Sequence, residues 1–245
     1  LMRDTLYVIE ANPRASRTVP FSSKATGVPL ASFASRIMAG ETIASLRDSG
    51  ELPEEGRDVG RFAVKEAVMP WSRFPGADSV LGPEMKSTGE VMGIDATFPV
   101  AYAKTRQAID YKLPRAGRVF VSVCDRDKRA IAPVAMALVG LGYQLVATAG
   151  TAKTLRAAGL ACEVTKRLSE GHPNIVDEIE GGDIAFIINT PQGNGARGDG
   201  SILRSEAVNR GITCVTALSA TTALVQAIAA VRDTTLNVYA LQDLP

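Results

Sequence analysis

Histidine is almost missing from these 245 residues: His172 is the only one. A single imidazole with no partner excludes a Ser-His-Asp or Cys-His catalytic arrangement, and His172 reads as a surface loop residue. Cysteine is scarce as well. Cys124, Cys162 and Cys214 are odd in number and widely spaced, so neither a disulfide framework nor a zinc site is expected. Excess charge of either sign is absent. Lys and Arg total 27 against 26 Asp and Glu, a net charge of +1, which gives no electrostatic basis for binding nucleic acid or an anionic membrane. No apolar run approaches the roughly 20 residues of a membrane span. No basic-then-apolar leader is visible, and a reducing cytoplasm is the expected setting.

What remains is an ordinary globular composition, 46% hydrophobic and 22% charged, enough for one or two cores. The stretch that organises the rest is residues 6–24. Leu6, Tyr7, Val8 and Ile9 read as a strand, ended by Pro13, which cannot continue a ladder. Alternation puts Glu10 and Asn12 on one face, two hard oxygen donors suited to Mg²⁺. Arg14 and Arg17 follow three apart; on a helix they would share a face and hold phosphate oxygens. Metal donors beside two such arginines point to nucleoside triphosphate chemistry.

Further along, residues 28–40 and 97–108 read as helices, the first ended by Gly40. Residues 41–60 read as a short helix and an exposed loop. Residues 61–70 alternate like a strand around Lys65 and Glu66. Residues 71–95 read as mostly irregular, punctuated by Pro75-Gly76, Gly82-Pro83, Gly89 and Gly93. A linker at 112–117 sets a domain boundary near Tyr111. Beyond it strands and helices alternate: strands at 118–124, 143–147, 162–165, 183–189 and 212–215, and helices at 125–142, 151–158, 173–180, 201–210 and 219–231. Pro173 is expected to open its helix and Ser201 to cap its own. The alternation, with strands apolar on both faces, predicts a doubly wound five-stranded parallel sheet.

In such sheets ligands bind beyond the carboxyl ends of the strands. There lie Thr148-Ala149-Gly150-Thr151, two hydroxyls and a glycine at a helix start, which make a phosphate cradle. Lys128 is within reach of the same phosphate, and Asn189, ending the fourth strand, is suited to a sugar or base.

Two segments carry a family resemblance. Glu10-Ala11-Asn12-Pro13-Arg14-Ala15-Ser16-Arg17-Thr18-Val19-Pro20-Phe21, with Ser23-Lys24-Ala25-Thr26-Gly27, closely resembles the end of an ATP-grasp domain of the carbamoyl-phosphate synthase large-subunit family. Phe74-Pro75-Gly76-Ala77-Asp78 and residues 81–93 resemble the same family. The resemblance implies that Glu10 and Asn12 bind the Mg²⁺ or Mn²⁺ that bridges ATP phosphates, and that Arg14 and Arg17 border the phosphate site as catalytic residues. Residues 111–245 are similar to the methylglyoxal-synthase-like fold, which in that family is the allosteric domain binding UMP or IMP. Lys128, Thr148, Thr151 and Asn189 match its effector positions. A further lysine falls at Lys166 or Arg167, and Lys166 is the one carried forward.

Two departures stand out: Ala149 lies where ornithine-responsive members carry His, and Cys214-Val215 lacks a polar pair. Lys65-Glu66 do match the ornithine-side motif. Ornithine control is therefore not expected, while nucleotide control is. Methylglyoxal synthesis itself is not expected either, because the loop reads Ser169-Glu170-Gly171-His172-Pro173 instead of carrying a Gly-Gly-Asp base.

The reading is thus a C-terminal fragment of a carbamoyl-phosphate synthase large subunit, with the end of the second ATP-grasp domain at 1–110 and the allosteric domain at 111–245. Implied partners are the upstream part of the large subunit, a glutaminase small subunit and a nucleotide effector, with no nucleic acid or membrane; a homo-oligomer is compatible. The parent reaction, ATP-dependent carbamoyl phosphate synthesis from bicarbonate and glutamine-derived ammonia, serves pyrimidine or arginine biosynthesis. By itself the fragment is expected to be inactive, and residues 1–110 to show an exposed apolar edge. The rival reading is a free-standing nucleotide-sensing module without catalysis.

Overall fold

The computed structural model describes residues 5, 7–8, 11–14, 16–53, 59–73, 79–80, 85–109, 111, 113–191, 198–232 and 234–243. The chain divides into two compact units, Leu1–Ala63 with Val238–Pro245, and Val64–Asn237.

Among the described residues the first unit holds three α-helices, α1 (Thr18–Thr26), α2 (Leu30–Met38) and α3 (Ile43–Asp48). Of the strand expected at 6–9, residues 6 and 9 lie outside the described residues. Tyr7 and Val8, which are described, belong to no strand and are exposed. Helix α1 starts only at Thr18, because Ser16 Oγ accepts the Thr18 N–H at 3.1 Å. Arg14 is held in a turn before it, its N–H donating to the Asn12 carbonyl at 2.8 Å. The helical face that Arg14 and Arg17 were expected to share is therefore not formed. Gly27, in the left-handed region at φ 74°, closes α1 by donating to the Ser23 carbonyl, as a glycine C-cap does. Thr42 caps α3 through Ser45 N–H. Phe33 and Leu46 are the buried apolar residues here. Over Phe33 lies Arg36, which binds Glu41 at 2.6 Å and Glu51 at 2.7 Å. Its guanidinium holds both carboxyls below the usual range.

Strand β1 (Phe62–Val68), which belongs to the second unit from Val64 onward, pairs with β2 (Gly89–Asp95). Strand β2 corrects the expectation of irregular chain at 71–95. Its glycines look like punctuation, but Gly93 is there for contact: a Cβ would stand 2.0 Å from the Ala101 carbonyl oxygen on α4 (Phe98–Ala108) and 2.9 Å from Thr105 N.

Then comes the parallel sheet, in the order β5 (Glu163–Thr165), β4 (Gln144–Thr148), β3 (Arg118–Ser122), β6 (Ile184–Asn189), β7 (Thr213–Val215). Its register aligns Val121 with both Ala147 and Ile188. Alternation splits each central strand between two cores, with one irregularity in β6, where the register shifts from Arg118 opposite Ile184 to Val119 opposite Phe186. Val119, Val121, Leu145, Ala147, Phe186 and Ile188 face α5 (Lys128–Gly140), α6 (Ala149–Ala157) and α9 (Leu218–Val231). Phe120, Val146 and Ile187 face α7 (Ile175–Glu180) and α8 (Asp199–Asn209). Both faces are buried, so these strands read as continuous apolar runs. Helix α5 begins at Lys128 and not at 125, α6 at Ala149 and not at 151, and neither expected helix-opening residue, Pro173 or Ser201, holds that place. Asn174 caps α7 by accepting from Val176 N–H at 2.9 Å, so Pro173 lies outside it. Helix α8 begins two residues before Ser201, with Gly198 at its cap.

Candidate functional site

Strand β3 pairs with β4 on one side and β6 on the other. The chain leaves β3 toward α5 and leaves β6 toward α8, helices on opposite faces of the sheet, so the connections diverge and open a crevice at the carboxyl ends. A cavity of about 340 Å³ lies there, a size ordinary for a small-molecule site.

Its walls bring together Lys128, Thr148, Thr151 and Asn189, four of the five residues read as nucleotide-binding. Thr148 is buried and caps α6 without spending its hydroxyl on the helix. Thr151 Oγ1 accepts the Val123 N–H at 3.3 Å, tying β3 to α6. Gly150, between them, leaves room for the Lys128 ammonium: a Cβ there would be 3.4 Å from Nζ. Lys128 also pairs with Asp125 at 2.6 Å. That contact, helped by Arg167, holds the Asp125 carboxyl below the usual range. The fifth residue, Lys166, does not line the cavity. Its ammonium donates to the His172 carbonyl at 3.0 Å, and the adjacent Arg167 takes the place on the wall.

Sequence reasoning missed Arg204. It is buried, and its Nη1 donates to Asn189 Oδ1 at 2.7 Å. Asn189 Nδ2 donates to the Ser122 carbonyl at 3.3 Å, so this amide is occupied in orienting the guanidinium. Gly200 leaves the space, since a Cβ would lie 2.9 Å from Nη1. The only sequence signal is a basic residue one turn into a helix after a glycine. Cys124 was also overlooked. Its backbone N–H donates to Thr190 Oγ1 at 3.0 Å, and its thiol donates to Asp127 at 3.0 Å, lowering the Asp127 carboxyl. Lone His172 is exposed against Asp177, 2.8 Å away.

Around Glu66 lies a second cavity of about 270 Å³, walled also by Trp71, Arg106, Tyr111 and Cys214. Glu66 is bound by Arg106, whose guanidinium lies 4.2 Å from the centre of the Tyr111 ring.

Of the metal and phosphate residues read near the start of the chain, Glu10 lies outside the described residues, while Asn12, Arg14 and Arg17 are exposed. Among the described residues no group of three or more His, Cys, Asp or Glu is placed to hold a metal ion. No described helix is long and apolar enough to cross a membrane.

Comparison with known proteins agrees with this architecture. Residues 130–216 match the family model "MGS-like domain". Residues 2–46 match "Carbamoyl-phosphate synthase L chain, ATP binding domain". The class is therefore an MGS-like α/β domain joined to a segment of an ATP-binding ligase domain. Among similar proteins is the carbamoyl phosphate synthase large chain of Rhodopirellula baltica, 46% identical over 239 residues, 97% of this chain and 22% of that protein. That of Streptomyces griseus is 51% identical over 259 residues, 99% of this chain and 23% of that protein. The large chain, C-terminal section, of Methanopyrus kandleri is 50% identical over 242 residues, 98% of this chain and 45% of that protein. The chain belongs to the carbamoyl phosphate synthase large-chain family and corresponds to its C-terminal part. It spans less than half the length of each of these relatives.

Proposed function

We propose that the chain is the regulatory end of a glutamine-dependent carbamoyl phosphate synthase and that its cavity binds a nucleoside monophosphate effector, UMP or IMP. Support comes from one convergence: Lys128, Thr148 and Thr151, separated by up to 23 positions, line a single cavity with Asn189 at the carboxyl ends of β3, β4 and β6. The phosphate is taken by the start of α6 and Lys128, where free N–H groups and the helix dipole favour an anion. Arg204, oriented by Asn189, addresses the rest of the nucleotide.

In the same reading Glu10 and Asn12 serve the metal of the second ATP site, with Arg14 and Arg17 at its phosphates. The remaining large chain and a glutaminase small subunit supply the other parts, in the cytoplasm, and the functional boundary lies near Tyr111. Calorimetric titration of UMP and IMP tests the effector site. Thr148→Ala is expected to weaken binding by roughly fivefold, the worth of one hydrogen bond. Binding indifferent to the change would overturn the assignment. The 245 residues alone are expected to form no carbamoyl phosphate, since they amount to 22–23% of two of the relatives above. ATP-dependent product from the purified chain would refute that.

A further inference from the structure

The cation of the phosphate cradle already holds an anion of the protein's own. Lys128 Nζ sits above Gly150, the second residue of α6, and lies 2.6 Å from Asp125 Oδ1. The contact is local, three residues apart, and arises because β3 feeds a 3₁₀ turn (Asp125–Asp127) that runs directly into α5. The other acid of that turn, Asp127, is turned to the Cys124 thiol. The other acid lining the cavity, Asp199, accepts from the Ser169 N–H and hydroxyl at 3.2 and 2.7 Å. Asp125 is the carboxylate turned to Lys128. Its side chain is 76% exposed, so the pair is weak and exchangeable, unlike a buried one.

We infer that Asp125 is an internal competitor of the ligand: it is counter-ion to Lys128 in the empty cavity, and an incoming phosphate binds against its charge. The inference rests on the phosphate reading given above. Two consequences separate competition from mere support of Lys128. Repulsion scales with ligand charge, so removing the carboxylate favours a dianionic phosphate monoester more than a monoanionic diester. It is also screened by salt, so the gain shrinks as ionic strength rises.

The test is calorimetric titration of inorganic phosphate, UMP and 3′,5′-cyclic UMP into the full chain as wild type, Asp125→Asn, Asp125→Ala and Lys128→Ala. Asn keeps an oxygen acceptor for Lys128 and removes only the charge. Both Asp125 variants are expected to tighten UMP by about two- to tenfold, cyclic UMP by less, and both gains to fall in high salt. Unchanged or weaker binding in Asp125→Asn overturns the inference. So does weaker binding in Asp125→Ala alone, which would make Asp125 a prop. If Lys128→Ala abolishes UMP binding while Asp125→Asn leaves it unchanged, only the competitor role falls. If Lys128→Ala leaves UMP binding intact, or no form binds phosphate or UMP, the phosphate reading falls with it.

Discussion

Asn189 shows how far single residues can be read. Its place at the end of a strand was legible from the apolar run before it, and the end of a parallel strand is where ligands sit. Its contact was not legible, because Arg204 lies 15 residues away and reaches it only where Gly200 leaves space. The two make one unit, so Asn189→Ala should act through Arg204. It is expected to cost about 1.5–3 kcal/mol, the range for hydrogen bonds to charged groups, and to weaken nucleotide binding; urea unfolding and titration check both. Lys166 and Arg167 illustrate the opposite limit, since neighbours on an extended segment point to opposite sides and only register decides between them. His172 lacks a catalytic partner yet contributes to a cap. Its ring and the Asn174 N–H both meet Asp177, and the N–H is the larger cause of the carboxyl's low pKa. A carboxyl depressed in the folded state stabilises above its unfolded pKa, and that contribution fades as pH falls through the folded value. Asp177→Asn should therefore lower the urea midpoint at neutral pH and match the wild type in strong acid. A gap that persists in strong acid would refute the charge-based account.

Among elements, the second domain was the easier to read. The central strands β3, β4 and β6 are short, mostly apolar runs set between helices, and burial on both faces demands that pattern. Strand β2 was hidden for a physical reason. Gly89 and Gly93 lower strand propensity, yet Gly93 allows the α4 backbone to approach where no side chain fits. The obstacle is main-chain carbonyl and amide, so it cannot swing aside as a side-chain tip would. Gly93→Ala is expected to reach or exceed the upper end of the roughly 1–3 kcal/mol typical of overpacking. Gly89→Ala, with open space around it, should change stability far less. Equal urea midpoints for the two variants would show that β2 and α4 do not meet as described.

At the scale of the molecule, composition spoke mainly by exclusion, and the family resemblance carried the ligase reading that charge and spacing alone left open. What the fold adds is where the proposed binding site resides. Every described residue lining the cavity at the carboxyl ends of the sheet falls within Val64–Asn237, as do both cores of the parallel sheet. Helix α4 also belongs with that unit, where it packs on α9 as well as on β2. A domain of this size buries enough surface to fold by itself. Residues 64–237, expressed alone, should therefore unfold in one cooperative transition and bind UMP with the affinity of the whole chain. A cut at Tyr111 instead removes α4 and bares the face of α9 beneath it, so residues 111–245 should have a lower urea midpoint while keeping the cavity residues. If that shorter piece were as stable as residues 64–237, the packing of α4 on α9 would contribute nothing. If neither piece bound nucleotide while the whole chain did, the cavity would need residues from outside this unit.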